Sequence, residues 1–265
     1  MNFNYIKGGV TAPKGFLASG IHCGLKKSNL KKDLALIYSE VPAAASGMFT
    51  KNKVKGAPIS ISKDHLSNKK AQAIIVNSGN ANTCNGTDGL NKAKKMTCLQ
   101  AKELNLKADD ILVASTGVIG VPLNIDAIKS GIPLLTQKLS KEGHDDASSA
   151  IMTTDTVKKE LALEFTIGDK VVTIGAMAKG SGMIEPNMGT MLSFITTDIA
   201  IIPELLDEAL KSCVKVTYNR VSVDGDTSTN DSVFILANGL AENNLISEKN
   251  EDYETFLKAL TDLNT

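Results

Sequence analysis

The run Lys179-Gly180-Ser181-Gly182-Met183-Ile184-Glu185-Pro186-Asn187-Met188-Gly189-Thr190-Met191-Leu192 concentrates the residues of this 265-residue chain that could do chemistry. Pro186 stiffens the backbone and drives Glu185 away from helical geometry. Gly189 admits a strained or tightly turned conformation directly before a hydroxyl. A strained peptide bond beside a threonine hydroxyl, at the mouth of an apolar run, is what N–O acyl rearrangement requires. Cleavage of Gly189–Thr190 would free the Thr190 α-amine, whose ordinary pKa of about 7.7–8.0 lets it accept the hydroxyl proton, so that one residue serves as nucleophile and general base. The same Gly-Thr pair is also explained by a turn followed by a β-branched residue entering a strand. The local residues leave both readings open. A nucleotide loop fits less well: Glu185 stands where a dinucleotide fingerprint needs its third glycine, and the G-K-[ST] end of a phosphate loop is missing. A lone glutamate such as Glu185 is more commonly solvated than a general acid.

Other clusters carry weaker signals. Asp224, Asp226, Ser228 and Asn230 alternate like the start of a calcium loop, but Thr229 replaces the glycine and Ile235 the bidentate glutamate that such a loop needs. A polar turn that buttresses the site is expected there, and no metal. His22, His65 and His144 sit in no motif that would make one of them the base of a Ser-His-Asp arrangement. Cys23, Cys84, Cys98 and Cys213 lie far apart, without C-x-x-C or zinc spacing, which points to reduced thiols and a cytoplasmic setting. Twenty-nine basic residues offset 29 acidic ones, and tryptophan is absent. Nucleic acid and anionic membrane are therefore not expected partners. Met1 to Val10 lacks a basic stretch followed by an apolar core, so no leader is expected, and no apolar run is long enough to span a bilayer.

The elements that must position these residues alternate between strand-like and helical patterns, an α/β or α+β arrangement. Ala73 to Val76 reads as a short strand stopping at a loop, Asn77 to Asn82. A helix follows from Asp88, with Leu90, Ala93, Thr97, Ala101 and Leu104 on one face. Asp110 to Ala114 reads as a buried strand ending at Ser115-Thr116-Gly117, and a second helix begins at Asn124. The clearest hairpin is Leu161 to Met177: Leu161, Leu163, Phe165 and Ile167 alternate with other residues, Gly168-Asp169 turns, and Val172, Ile174 and Ala176 return. Met191 to Thr196 reads as a strand. Pro203 opens a helix with Leu206, Leu210, Cys213 and Thr217 on one side, and Tyr253 to Leu263 is helical.

The string from Lys179 to Phe194 resembles the cleavage and active-site segment of the bifunctional ornithine acetyltransferase / glutamate N-acetyltransferase family. Further blocks match that family in order: Gly47-Met48-Phe49-Thr50, Asn77 to Asn82, Ser115-Thr116-Gly117, Met152-Thr153-Thr154-Asp155-Thr156 and Asn219 to Asp231. Together they cover nearly the whole chain. The resemblance implies a layered α/β sandwich of the N-terminal-nucleophile-like type and a precursor that cleaves itself at Gly189–Thr190. An α region (1–189) and a β region (190–265) would belong to one folded unit. It implies an acetyl-enzyme on Thr190 and acetyl transfer from N-acetylornithine to glutamate in arginine biosynthesis, with no resident cofactor. Some members also take acetyl-CoA as a donor. By the same resemblance Thr116 and Gly117 form an oxyanion hole, and Lys179 and Thr156, with Thr190, contact substrate, Thr153 and Thr154 being rival registers for Thr156. A heterotetramer of two α and two β chains is implied.

Two departures stand out. Gly189 occupies a position where the family more often has alanine. The family also continues past the equivalent of Thr265, through an acidic glycine-rich block and a C-terminal Asn and Thr that contact substrate. Two other functions fit the same residues: an aminopeptidase-like N-terminal-nucleophile hydrolase that passes the acyl group to water, and an inactive fragment needing a separate C-terminal chain.

Overall fold

A computed structural model of the chain describes residues 3–183 and 191–265. In chain order the elements are β1 (Asn4–Ile6), β2 (Phe16–Ile21), β3 (Leu34–Phe49), α1 (Ala57–His65), β4 (Lys70–Asn80), α2 (Gly86–Leu104), β5 (Ile111–Val118), α3 (Ile125–Gln137), α4 (His144–Ile151), β6 (Lys159–Ile167), β7 (Lys170–Lys179), β8 (Leu192–Thr197), α5 (Pro203–Val216), β9 (Ser232–Ala237) and α6 (Glu251–Leu263). Among the described residues the strands form one mixed sheet in the order β1-β6-β7-β8-β9-β3-β4-β5, with β2 added beside β3. The β4–β5 and β8–β9 pairs are parallel and the remainder antiparallel. The two strands that follow Thr190 in sequence thus sit between β7 and β3, both of which precede it.

Helices cover both faces of the sheet, which is why the central strands read as nearly continuous apolar runs. Along β9, Val233 and Ile235 pack toward α5 and α6, while Phe234 and Leu236 face the opposite layer, which includes Ala147, Ala150 and Ile151 of α4. Along β4 and β5, Ala73, Ile75, Ile111 and Val113 face α2 and α3, and Ile74, Val76, Leu112 and Ala114 face the α4 side. The long strand β3 changes register between Tyr38 and Ala43. Pro42 lies within that irregularity, where its missing N–H removes no ladder bond. The shift lets the first half of β3 pair with β2 and the second half with β9.

Several expected elements form as read. The β6–β7 hairpin turns at Gly168-Asp169. The Asn124 side chain caps α3 by accepting from the Ala127 N–H at 3.1 Å, and Pro203 occupies the first turn of α5. Three details differ. The expected loop at Asn77 is a strand through Asn80, parallel to β5 as far as Gly117. Its polar side chains are satisfied inside the sheet: Ser115 donates to Asn77 Oδ1 at 2.6 Å, and Asn77 Nδ2 donates to the Asn80 carbonyl at 2.9 Å. On α2, Leu90 is exposed, and Met96 is its largest fully buried apolar side chain. Leu161 is half-exposed, at the end of its hairpin distant from the turn.

Candidate functional site

The parallel pairing of β4 and β5 brings their C-terminal ends together at a cleft of about 760 Å³, lined by Gly79, Thr116, Gly117, Lys179, Thr153 and Thr154. Lys26, Lys27 and Lys31 form one wall, with Asp224 and Asp226 also contributing. A bulge at this end pairs Asn80 with both Thr116 and Val118. Gly117 has φ +133°, and a Cβ there would lie 2.3 Å from the Gly79 carbonyl carbon and 2.5 Å from the Asn80 nitrogen. Both the conformation and the space therefore demand glycine. The neighbouring Thr116 is buried, and its Oγ1 accepts a hydrogen bond from Lys179 Nζ at 3.3 Å. Lys179, the last residue of β7, is only 3% exposed. Burial pushes its ammonium below the usual lysine range, against the pull of Asp155 and Asp231.

Two buried carboxylates hold the backbone on either side of the segment 184–190. Asp155 Oδ1 accepts from the Gly180 N–H at 2.7 Å and from Lys159 Nζ at 2.9 Å, while Oδ2 accepts from the Thr153 N–H at 3.2 Å. Burial works to raise its carboxyl, but these donors outweigh it and leave the group below its ordinary range. Asp231 Oδ1 accepts from the Met191 N–H at 2.9 Å, and burial pushes its carboxyl up to about 7. Asn230 Nδ2 donates to the carbonyls of Ala81 (2.6 Å) and Ser115 (3.0 Å), and its Oδ1 accepts from Thr83 Oγ1 at 2.6 Å. Asp224 Oδ2 accepts from the Met183 N–H at 2.6 Å. The polar stretch 224–231 therefore acts as the buttress expected of it. Among the described residues no group of acidic, cysteine and histidine side chains could hold a metal ion.

Of the residues singled out in the sequence, Thr116, Gly117 and Lys179 meet at this cleft. Thr153 and Thr154 line it as well, Thr154 Oγ1 lying 2.6 Å from Ser181 Oγ. Thr156 is exposed and outside the lining. Glu185, Gly189 and Thr190 lie outside the described residues. None of the histidines reaches the cleft: His65 bonds the Ile111 carbonyl, His22 pairs with Asp33, and His144 with Glu160. Sequence reasoning missed Asp33, fully buried, which accepts from the N–H groups of Cys23, Leu25 and Lys26 and so shapes the lysine-bearing wall. The signal was an acid directly ahead of the apolar run Leu34–Ile37. Lys26 Nζ donates to the carbonyls of Lys32 (2.6 Å) and Met152 (2.8 Å), and burial lowers its pKa to about 8. A hydroxyl facing an open cleft with a buried cation behind it suits negative charge developing on an oxygen.

Comparison with known proteins places the chain in a family. The profile of the ArgJ family matches residues 17–265. The arginine biosynthesis bifunctional protein ArgJ of Caldanaerobacter subterraneus subsp. tengcongensis is 49% identical over 98% of this chain, which spans 64% of that relative's length. The solved ornithine acetyltransferase of Mycobacterium tuberculosis, complexed with ornithine, superposes with a TM-score of 0.64 at 37% identity, over 70% of this chain and 98% of that one. An L-aminopeptidase D-Ala-esterase/amidase from Ochrobactrum anthropi, a variant of the Ntn hydrolase fold, shares the fold alone, at a TM-score of 0.61 and 11% identity. No helix among the described residues is long and apolar enough to cross a membrane. The match across nearly the whole sequence, together with the fold, shows that the chain belongs to the ArgJ family, whose curated relatives are named for arginine biosynthesis.

Proposed function

We propose that this chain carries the nucleophile and oxyanion site of an N-acetyltransferase that moves acetyl from N-acetylornithine to glutamate. In this reading Thr190 Oγ attacks the Gly189 carbonyl, water hydrolyses the resulting ester, and Thr190 is left with a free α-amine. In turnover that amine takes the Oγ proton as Oγ attacks the acetyl carbonyl. Thr116 and Gly117 hold the oxyanion, and the ornithine α-nitrogen leaves with the proton returned from the α-ammonium. The α-amine of glutamate then attacks the acetyl ester and restores Thr190. The observation that carries the proposal is the convergence of Thr116, Gly117 and buried Lys179 at one cleft. The length match adds support: the solved ornithine acetyltransferase chain is covered almost completely by 70% of this chain, close to the share that precedes Thr190. Substrate contacts by Lys179 and Thr156, an α₂β₂ assembly, a cytoplasmic setting and acetyl-CoA as a second donor belong to the same proposal.

Intact mass of the purified protein is the direct test. Two pieces divided at Gly189–Thr190 are expected, with Thr190→Ala remaining whole. An uncleaved wild type under folding conditions rejects self-processing. Ornithine release from N-acetylornithine should require glutamate, and release at the same rate without it would identify a hydrolase instead.

A further inference from the structure

We propose that Lys179 is a positioning residue acting through Thr116: its ammonium occupies a lone pair of the Thr116 hydroxyl and turns that hydroxyl's proton toward the cleft. This inference rests on the acyl-transfer reading above, which gives Thr116 a share of the oxyanion, and it gives Lys179 a task in addition to the substrate contact proposed there. A threonine hydroxyl carries one proton and two acceptor sites and rotates to suit its neighbours, whereas a lysine ammonium donates and never accepts. The contact between them therefore has one direction. With Lys179 donating, the Thr116 proton must point elsewhere, and the cleft is the open side.

Three observations bear on this task. Lys179 is almost completely buried, and among the described residues Thr116 Oγ1 is its hydrogen-bond partner. The contact, at 3.3 Å, is long for a charge-assisted bond, and such bonds in unliganded sites commonly tighten as charge develops. Most of the surrounding charges are also otherwise engaged, Asp231 through one oxygen only among the described residues. Asp155, from the segment after α4, bonds Lys159 and two backbone amides, and Asp231, ahead of β9, bonds the Met191 amide. Both carboxylates favour the charged form of Lys179, while Lys159 of β6 opposes it. Lys26, across the cleft, directs its amine to two backbone carbonyls. Lys179 exchanges no proton with the substrate: it stays an ammonium while Thr116 donates a hydrogen bond to the oxyanion.

The test uses p-nitrophenyl acetate, an acetyl ester without an amino-acid part, and reads the p-nitrophenolate burst across pH. Lys179→Met and Thr116→Val should each slow the burst roughly 10²-fold, and the double variant should be no slower than about the worse single one, since two residues acting through one bond are not additive. Lys179→Arg and Thr116→Ser, which keep the cation and the hydroxyl, should retain most of the rate and show that the site is folded. The alkaline decline of the wild type should move to higher pH in Lys179→Arg. Multiplicative losses in the double variant overturn the inference. So does a normal burst in Lys179→Met accompanied by a raised KM for N-acetylornithine, which would leave Lys179 with the substrate contact alone. A wild type that gives a burst but no acetylglutamate refutes the proposed acceptor and leaves this inference standing; a wild type with no burst removes both.

Discussion

At the scale of single residues, Asp231 sits in an environment far from that of a solvated side chain. It is fully buried, one oxygen is held by the Met191 amide, and burial raises its pKa to about 7, against about 3.9 in an unfolded chain. Between those values the folded protein holds a proton that the unfolded chain has released. The stability associated with Asp231 is therefore fully present below pH ~4, falls as pH rises to about 7, and stays low above it. Asp231→Asn keeps an acceptor for the Met191 amide and removes the titration. Urea midpoints measured from pH 4 to 8 should fall for the wild type and stay flatter for the variant, with a gap at pH 8 on the order of a few kcal/mol. Identical slopes for the two proteins would contradict this account. Gly117 offers a second residue-scale prediction. Gly117→Ala forces a Cβ against the Gly79 and Asn80 backbone at a positive φ, so a loss of about 3 kcal/mol or more is expected, read as a lower thermal midpoint.

Elements reveal what the sequence could and could not disclose. The β6–β7 hairpin, the Asn124 cap of α3 and the Pro203 start of α5 are specified by neighbours in the chain, so their residues announce them. By contrast β3 contains Pro42 and an alanine-rich stretch, and its pairing partners β2, β4 and β9 are scattered along the sequence. Nothing local marks it as the sheet's longest strand among the described residues. The strand β9 is hidden in a similar way behind the polar block that precedes it. At the site, Thr116, Gly117 and Lys179 were legible through family motifs, whereas the work of Asp155, Asp231 and Asp33 depends on burial that no motif expresses. The 224–231 segment is an element in the same sense, held to the ends of β4 and β5 by Asn230. Asn230→Ala leaves the Ala81 and Ser115 carbonyls without that donor, at roughly 1–3 kcal/mol for each buried group left unsatisfied. Calorimetry should show that loss, together with weaker burst kinetics as Asp231 and Met191 shift. An unchanged melt would mean that the buttress is not needed.

For the whole molecule the sheet order dominates. The strands β8 and β9 lie between β7 and β3 and make ladders with both. If the chain divides at Gly189–Thr190, the pieces should elute together in native gel filtration and part only in denaturant; separation in native buffer would contradict the interior placement of β8 and β9. The same placement also bears on the nascent chain. As the polypeptide leaves the ribosome, β7 and the second half of β3 each keep one edge unpaired until residues 192–237 have been made, a wait of roughly nine seconds or more for β3 at ~5–20 residues per second. Unpaired strand edges of that kind invite aggregation, and closing the sheet late, through distant contacts, is slow. A bond that broke before closure would release a piece unable to complete the sheet. If the chain divides at this position, the cut would therefore act as a clock that starts only after folding, and the appearance of cut chain during synthesis should trail, never lead, the gain of native structure.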